Sequence, residues 1–315
     1  MSQQPLISDR EAYFLERLDR GDRIEADDWM PEEYRRQLVR LISIHAVSEI
    51  MGALPEKEWV PRAPTLYRKL AITAKVQDEV GHGQLLIRVA EDLMRPWGKT
   101  RDDIMEDLFA GRLKYHNVFH MATPTWADAG IIGWLVDGAA VITQGMSLSC
   151  SYAPYARALQ RIVEEEGFHI QHGESICLAL AEGTPMQRAM LQDALTRWWP
   201  ALLMFFGPPE KSELSTNQLR NLRYRIRSKT NEELRQRFFS KYVHRIRSLG
   251  LQIPDRTLAQ DAVTKEWHYQ QPDWDLFRQI VNNHGPRSQE RLGLRRTTYE
   301  EGAWVRRMAA QASSV

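Results

Sequence analysis

At residues 71–94 the chain carries the stretch AITAKVQDEVGHGQLLIRVAEDLM. Apolar residues recur in it at steps of three and four, the spacing that places side chains on one face of an α-helix. The members of that face are Ile72, Lys75, Glu79, His82, Leu86, Val89 and Leu93. Glu79 and His82 form a Glu-x-x-His motif, which aims a carboxylate and an imidazole at one point from adjacent turns. The stretch therefore predicts a core helix that presents metal-ligating groups to the interior.

Three other long segments also combine helical spacing with acids on the apolar face. Their inward positions are Leu38, Ile42, His45 and Glu49, then Gly130, Trp134, Asp137, Val141, Gln144 and Leu148, and finally Leu159, Ile162, Glu166, His169, Gly173, Ile176 and Leu180. Glu166 and His169 repeat the Glu-x-x-His motif. Because an unpaired buried carboxylate is costly, acids on core faces are normally paired, protonated or bound to metal.

The order of these acids along the chain predicts a site for two metal ions. Glu49 precedes Glu79 by 30 residues, and Asp137 precedes Glu166 by 29. Each half is therefore a helical hairpin with a single acid on its first helix and Glu-x-x-His on its second. Two such hairpins form the dimetal site of ferritin-like bundles. The predicted ligands are Glu49, Glu79, His82, Asp137, Glu166 and His169. Mixed imidazole and carboxylate ligation favours iron over zinc, although manganese uses the same ligand set.

Strand signals are nearly absent, so we predict an all-α fold, a ferritin-like four-helix bundle core with additional C-terminal helices. The predicted helices are about 31–51, 66–94, 101–110, 126–149, 154–182 and 184–206, and a turn rich in Pro and Gly ends the first of them. Shorter, more basic helices follow residue 213. The predicted domains are an N-terminal arm (1–30), the diiron helical bundle (31–206) and a helical C-terminal extension packed on the bundle (207–315).

Composition excludes several classes of protein. The chain has 42 basic and 41 acidic residues, without the basic excess of a nucleic-acid-binding protein. No uninterrupted apolar run reaches the roughly 18 residues that span a bilayer, and the N-terminus has no basic-then-apolar signal pattern. Cys150 and Cys177 are predicted to be reduced core thiols. We therefore predict a cytoplasmic protein that binds neither nucleic acid nor a membrane.

Several polar residues near the predicted ligands allow two interpretations. Lys75 fits either a helix ion pair along the surface or a countercharge for the carboxylates. His45 and His172 are expected to pack outside the ligand shell. Gln144 fits a satisfied core amide or a hydrogen-bond donor near the site.

Two further sets of polar residues also allow two interpretations. Asp78 and Glu165 could orient the imidazoles from outside or lie on an exposed face. A basic run fits a solvated helix face or a binding site for the phosphates of coenzyme A, and it consists of Arg220, Arg223, Arg225, Arg227 and Lys229.

Several longer phrases resemble the A subunits of phenylacetyl-CoA epoxidases, over about residues 28–307. They are HAVSEI, AKVQDEVGHG, GWLVDGAAV, YAPYARAL followed by EEEGFH, and TNEELRQRF. The resemblance implies a ferritin-like diiron enzyme that converts phenylacetyl-CoA to its ring-1,2-epoxide with O2 and NADPH-derived electrons. It implies the same six ligands, with catalytic roles for Glu49, Glu79 and Glu166. Asp137 matches this family, whereas more distant relatives usually carry Glu there.

The resemblance also implies a binding site for a coenzyme A thioester and a set of partner proteins. It places coenzyme A contacts near Arg40, Lys114, Arg227 and Asn231, with Arg227 in place of an expected lysine. The implied partners are a paralogous structural C subunit, a small B subunit, and a reductase that carries flavin and an iron–sulfur cluster and oxidises NADPH. The chain has no Gly-rich dinucleotide motif and no cysteine cluster, so electrons must come from such a partner.

Three alternatives remain open. One is another ferritin-like diiron oxygenase, such as a desaturase or a benzoyl-CoA epoxidase relative acting on a different acyl-CoA. The second is an iron-storage or oxidant-scavenging protein, and the third is a non-catalytic, metal-free scaffold subunit. The intact set of six ligands argues against a scaffold, which has no reason to keep acids on its core faces.

Overall fold

A computed structural model describes residues 9–210 and 216–312 of the chain. The first eight helices are α1 (Asp9–Asp19), α2 (Glu32–Lys57), α3 (Leu66–Met94), α4 (Arg101–Phe109), α5 (Trp126–Ile131), α6 (Asp137–Ser147), α7 (Ala153–Ala181) and α8 (Pro185–Met204). Those that follow are α9 (Thr216–Arg223), α10 (Asn231–Ser248), α11 (Trp274–Gln279), α12 (Ser288–Glu301) and α13 (Ala303–Ala312). Two strands of two residues, β1 (Ala259–Gln260) and β2 (Trp267–His268), pair antiparallel. The predicted all-α fold is confirmed.

Four long helical segments form the bundle, namely α2, α3, α5 with α6, and α7. Helix α3 begins where predicted because Thr65 caps it, accepting a hydrogen bond from the Arg68 backbone N–H at 3.2 Å. Helices α3 and α7 run antiparallel, since the start of α3 meets the end of α7. There the Arg68 guanidinium donates to Ser175 Oγ at 2.6 Å. Each Glu-x-x-His helix therefore faces the other.

Glycines allow helices of the bundle to approach closely at two places. A Cβ on Gly83 would lie 2.5 Å from Ile50 Cγ1 of α2. A Cβ on Gly173 of α7 would lie 2.3 Å from the Gly133 carbonyl carbon. Gly133 belongs to a π-helical turn, Ile132–Val136, that joins α5 to α6. Close backbone packing thus brings the carboxylates of neighbouring helices together.

Two secondary-structure predictions were wrong. The first bundle helix does not end at Met51 but continues through Pro55 to Lys57, because the residues from Gly52 to Glu56 are buried against the rest of the protein. The segment predicted as one helix over 126–149 is interrupted by the π-helical turn. The predicted N-terminal arm contains α1, whose Phe14 and Leu18 are buried in the core.

The C-terminal helices pack against the bundle near the predicted ligand Asp137. Tyr242 of α10 lies so close to Gly138 that a Cβ there would meet the tyrosine hydroxyl at 2.1 Å. Arg235, also on α10, is fully buried and donates to the carbonyl oxygen of Leu203 at 3.1 Å. Helix α12 reaches α2 through Arg295, which donates to the Ile50 carbonyl.

Two helical segments are long and apolar enough to cross a membrane, α2 and Trp126–Ser147. Their apolar windows are 67% and 72% buried inside the protein, which is typical of core helices in a bundle. Counting uninterrupted apolar runs missed them because polar residues, among them Glu49 and Asp137, interrupt the runs. Among the residues described, these two helices therefore carry no argument for a membrane location.

Candidate dimetal centre

The structure brings the six predicted ligands together in the interior of the bundle, and all six are buried. Their ligand atoms form two groups of four, and within each group the atoms lie within 4.8 Å of one another. The first group is Glu49, Glu79, His82 and Glu166, and the second is Glu79, Asp137, Glu166 and His169. Glu79 and Glu166 belong to both groups. Two ions could therefore sit side by side with these two carboxylates between them.

Both imidazoles turn Nδ1 towards the shared carboxylates. His82 Nδ1 lies 3.7 Å from Glu166 Oε1, and His169 Nδ1 lies 3.6 Å from Glu79 Oε1. The opposite nitrogens contact acids of the neighbouring helix, Nε2 of His82 at 2.8 Å from Glu165 and Nε2 of His169 at 3.2 Å from Asp78. Each acid that precedes a ligand glutamate thus holds the imidazole of the other helix.

Asp78 and Glu165 are about one-third exposed, so both interpretations of these residues hold in part. They lie at the edge of the protein surface and also orient the imidazoles. Such outer carboxylates fix the tautomer and the ring orientation of histidine ligands. Sequence alone predicted that these acids could orient the imidazoles. It did not predict that each acid contacts the histidine of the other helix, which depends on the packing of α3 against α7.

Lys75 is fully buried and contacts three carboxylates. Its Nζ lies 2.6 Å from Glu56 Oε2, 2.8 Å from Glu79 Oε1 and 3.0 Å from Asp137 Oδ2. The interpretation as a surface ion pair is therefore wrong, and the countercharge interpretation fits. Burial opposes the charge of Lys75, but Asp137 and Glu56 outweigh it and raise its pKa well above the ordinary value. The ammonium group therefore stays charged in the interior.

Sequence reasoning missed Glu56, a buried acid that belongs to this cluster. It lies seven residues after Glu49, a spacing that returns to the same helix face. The signal was lost because the helix was predicted to end at Met51. Burial raises the pKa of Glu56, while Lys75 opposes that shift. The Lys75–Glu56 pair adds no net charge to the centre.

The four ligand carboxylates lie close together in a buried site. Burial raises the pKa of Glu49 well above its usual range, and the neighbouring Glu79 and Glu166 add to the shift. Burial likewise raises the pKa of Asp137, although Lys75 opposes it. Such a cluster is stabilised when cations bind between the carboxylates.

Two divalent ions fit this set of donors. When all four ligand carboxylates are ionised, they carry four negative charges, which two divalent ions balance, while Lys75 and Glu56 cancel each other. His82 Nδ1 is buried without a hydrogen-bond partner among the residues described, between Glu49 and Glu166. A free imidazole nitrogen that faces carboxylate oxygens is suited to a metal ion.

The other polar residues predicted near the site lie outside the two ligand groups. His45 Nε2 contacts Glu49 Oε1 at 2.7 Å, and burial lowers the His45 pKa to about 4. Gln144 is not a fully satisfied core amide, because its Oε1 has no partner among the described residues. Its Nε2 lies 3.5 Å from Glu49 Oε1. His172 packs against Phe168, with ring centroids 6.1 Å apart.

A cavity of about 230 Å³ opens beside the centre. Glu49, Glu79, Asp137 and Glu166 form part of its wall, and most of the remaining lining is apolar. The apolar lining comprises Leu41, Ile44, Phe119, Val136, Ala140, Met146, Phe205, Phe206 and Leu234. A cavity of about 150 Å³ with such a lining can hold benzene, so the space is large enough for an aromatic ring.

Among the four residues implied to contact coenzyme A, Arg227 lines the cavity beside the centre. It donates to Asn231 Oδ1 at 3.1 Å. Arg40 lines a separate cavity of about 310 Å³ between α2 and α4. Lys114 is exposed and lies two residues before His116, which lines the first cavity. The structure thus joins Arg227 to Asn231 and places Arg40 at a different cavity.

The basic run does not form a single solvated helix face, because α9 ends at Arg223. Arg220 pairs with Glu33 at 2.9 Å and Lys229 with Glu233 at 2.7 Å, both near the surface. Arg227 instead turns inward, and burial lowers its pKa. Arg220 and Lys229 of the basic run therefore form ion pairs near the surface, whereas Arg227 places its charge beside the cavity.

Comparison with known proteins places the chain in a family. A family model described as "Phenylacetic acid catabolic protein" matches residues 1–304. The chain is 46% identical over 301 residues to the A subunit of the 1,2-phenylacetyl-CoA epoxidase of Escherichia coli (strain K12), and the match covers 95% of each chain. The chain belongs to the phenylacetic acid catabolic protein family.

Proposed function

We propose that this chain is the iron-carrying oxygenase subunit of a phenylacetyl-CoA epoxidase that acts in phenylacetate degradation. The observation that carries the proposal is the pair of four-donor groups that share Glu79 and Glu166 in the wall of an apolar cavity. The 46% identical relative bears the name of such an epoxidase subunit. An iron-storage protein would not need a ring-sized apolar cavity beside its metal site.

Two iron ions held by the six side chains would supply the activation of O2. Glu79 and Glu166 would lie between the ions. Glu49 and His82 would complete the ligand set of one ion, and Asp137 and His169 would complete that of the other. Carboxylates suit this role because they can change their binding mode as iron changes oxidation state. One oxygen atom would enter the ring, and the other would leave as water with two electrons and two protons.

The cavity would position the ring and exclude water. Its wall includes Glu49, Asp137 and Arg227 as well as the apolar lining. A guanidinium in that place is suited to the anionic groups of a coenzyme A thioester. The ring would then point towards the metal ligands and the coenzyme A portion towards Arg227 and Asn231. Arg40 and Lys114 would have to contact more distant parts of the substrate.

The proposal includes partner proteins. The relative is by name one subunit of its epoxidase, which means that it works with other subunits. We extend this to a paralogous structural subunit, a small subunit, and an NADPH-oxidising reductase with flavin and an iron–sulfur cluster, in the cytoplasm. This chain has no motif that would bind those redox groups, so two electrons per turnover would come from the reductase.

The test combines metal content with turnover. Wild type and Glu79→Ala would be assayed for iron and for O2-dependent epoxidation of phenylacetyl-CoA, with partner subunits and NADPH supplied. The matched control is Glu91→Ala, an acid of the same helix that bonds Arg101 at the surface. We expect about two irons per chain in wild type and in the control, and loss of both iron and epoxide in Glu79→Ala.

Other outcomes would separate the alternatives. Two irons without turnover of phenylacetyl-CoA, but with turnover of another acyl-CoA, would keep the diiron site and replace the substrate. Mineralised iron without any oxygenated product would point to storage. Absence of stoichiometric metal in the assembled complex would refute the catalytic proposal.

A further inference from the structure

Tyr155, His45 and Glu49 are joined by two polar contacts along the wall of the cavity. Tyr155 OH lies 2.9 Å from His45 Nδ1, and His45 Nε2 lies 2.7 Å from Glu49 Oε1. The rings of Tyr155 and His45 meet edge to face at 89° with centroids 6.1 Å apart. Tyr155 is 2% exposed and lines the cavity. Both nitrogens of His45 are therefore engaged, and its ring cannot rotate without breaking a contact.

The contact from His45 also makes the two carboxylate oxygens of Glu49 different from each other. As an ionised metal ligand Glu49 only accepts hydrogen bonds, so His45 Nε2–H then donates to Oε1. The neutral imidazole then accepts the Tyr155 O–H at Nδ1. With Oε1 engaged, Oε2 is the atom that faces the dimetal centre, 3.9 Å from His82 Nδ1.

The corresponding carboxylate of the other metal position is held differently. Asp137 Oδ2 lies 3.0 Å from the Lys75 ammonium, whereas Glu49 has a neutral histidine as its partner. The two metal positions therefore differ in the charge beside their terminal carboxylates. A change in the tyrosine–histidine chain should affect only the position that Glu49 serves.

We infer that Tyr155 is a positioning residue, which acts through His45 to hold Glu49 as a one-oxygen ligand of a single metal position. The inference rests on the proposed function in so far as Glu49 is a metal ligand. Outer hydrogen-bond partners of metal ligands typically contribute about 10- to 100-fold to metal affinity. Tyr155 is one residue further out, so an effect of about tenfold is expected.

The experiment is a calorimetric titration of the full-length, metal-free chain with Co²⁺, which resists oxidation by air. Tyr155→Phe removes only the hydroxyl. Tyr152→Phe is the matched control, because its hydroxyl is buried but has no hydrogen-bond partner within the described structure. His45→Ala and the double variant with Tyr155→Phe complete a mutant cycle, and the visible spectrum of Co²⁺ reports on its ligands.

We expect wild type and Tyr152→Phe to bind two Co²⁺ ions alike. Tyr155→Phe should weaken one binding event about tenfold and leave the other unchanged. In the His45→Ala background, Tyr155→Phe should have no further effect, which a purely structural tyrosine would not produce. Binding by Tyr155→Phe equal to wild type, or a full effect without His45, would overturn the inference. Failure of wild type to bind Co²⁺ would overturn the proposed metal site itself.

Discussion

Lys75 Nζ and Glu56 Oε2 lie 2.6 Å apart in the interior, from helices whose other acids form the candidate dimetal centre. The pair is neutral as a unit, so the charge of the centre depends on the four ligand carboxylates alone. Breaking a buried pair by removing one partner leaves an uncompensated charge and typically costs about 3–5 kcal/mol.

Lys75→Met should lower the free energy of unfolding of the metal-free chain by about 3–5 kcal/mol, since Glu56 is left without its cation. Adding Glu56→Gln should recover part of the loss, because Glu56 no longer carries an unpaired charge, whereas Glu79 and Asp137 still lack the ammonium group. Urea denaturation measures the free energy of unfolding of both variants. Equal stability of the single and double variants would show that Lys75 serves the ligand carboxylates and not Glu56.

Glu165→Ala should weaken binding of one metal ion by about 10- to 100-fold, because His82 loses the acceptor of its Nε2–H. Competition with a chelator of known affinity measures the change. Glu164→Ala, at the exposed neighbouring position of α7, is the control and should bind metal like wild type. A similar loss in both variants would indicate a general electrostatic effect of the α7 surface.

Gly173→Ala should destabilise the protein by about 3 kcal/mol, the upper end for overpacking, because the new Cβ would meet backbone atoms of Gly133 and Trp134. It should also reduce metal binding, since Asp137 follows that turn. Gly167→Ala on the same helix has open space around its Cβ and should stabilise by roughly 0.5–1 kcal/mol. Thermal unfolding compares the two, and equal effects would contradict the close approach of α7 to the π-helical turn.

Stability should fall with pH below about 6.5 because of His120. Burial lowers the pKa of His120 to about 4, and its Nδ1 bonds Ser288 Oγ at 2.6 Å. The unfolded chain binds a proton near pH 6.5, whereas the folded chain does not until about pH 4. Full stability is therefore present above about pH 6.5 and declines as the pH falls towards 4.

His120→Asn, which keeps a polar group near the Nδ1 position, should lose this contribution to the pH dependence. Between pH 6.5 and 4 the wild-type free energy of unfolding should fall more steeply, by up to about 1.4 kcal/mol per pH unit. His268→Asn at an exposed position should leave the slope unchanged. Parallel curves for wild type and His120→Asn would contradict the prediction.

Arg227→Gln should raise the KM for the coenzyme A thioester about 10- to 100-fold with little change in kcat, because a charge-assisted hydrogen bond is worth about 1.5–3 kcal/mol. Arg227→Lys should retain most of the affinity by keeping the charge. Arg223→Gln, an exposed member of the same basic run, is the control. A fall in kcat without a change in KM would instead give Arg227 a role in shaping the cavity.

The sequence by itself determined which residues are candidate ligands of the centre. Steps of three and four fix which residues share a helix face, because the helical repeat depends only on the backbone. Two Glu-x-x-His motifs and two single acids therefore identify the six ligand candidates from spacing alone. The predicted bounds of α3 are unchanged in the structure, where Thr65 caps its start and Pro96 follows soon after its end.

Contacts between helices could not be derived in this way. Pro55 is a helix breaker by local rules, yet α2 passes through it because the surrounding residues are buried. That continuation brings Glu56 to Lys75. The crossed contacts of Asp78 and Glu165 depend on the antiparallel register of α3 and α7. Periodicity determines which face of a helix points inward, but the packing of whole helices determines which groups meet there.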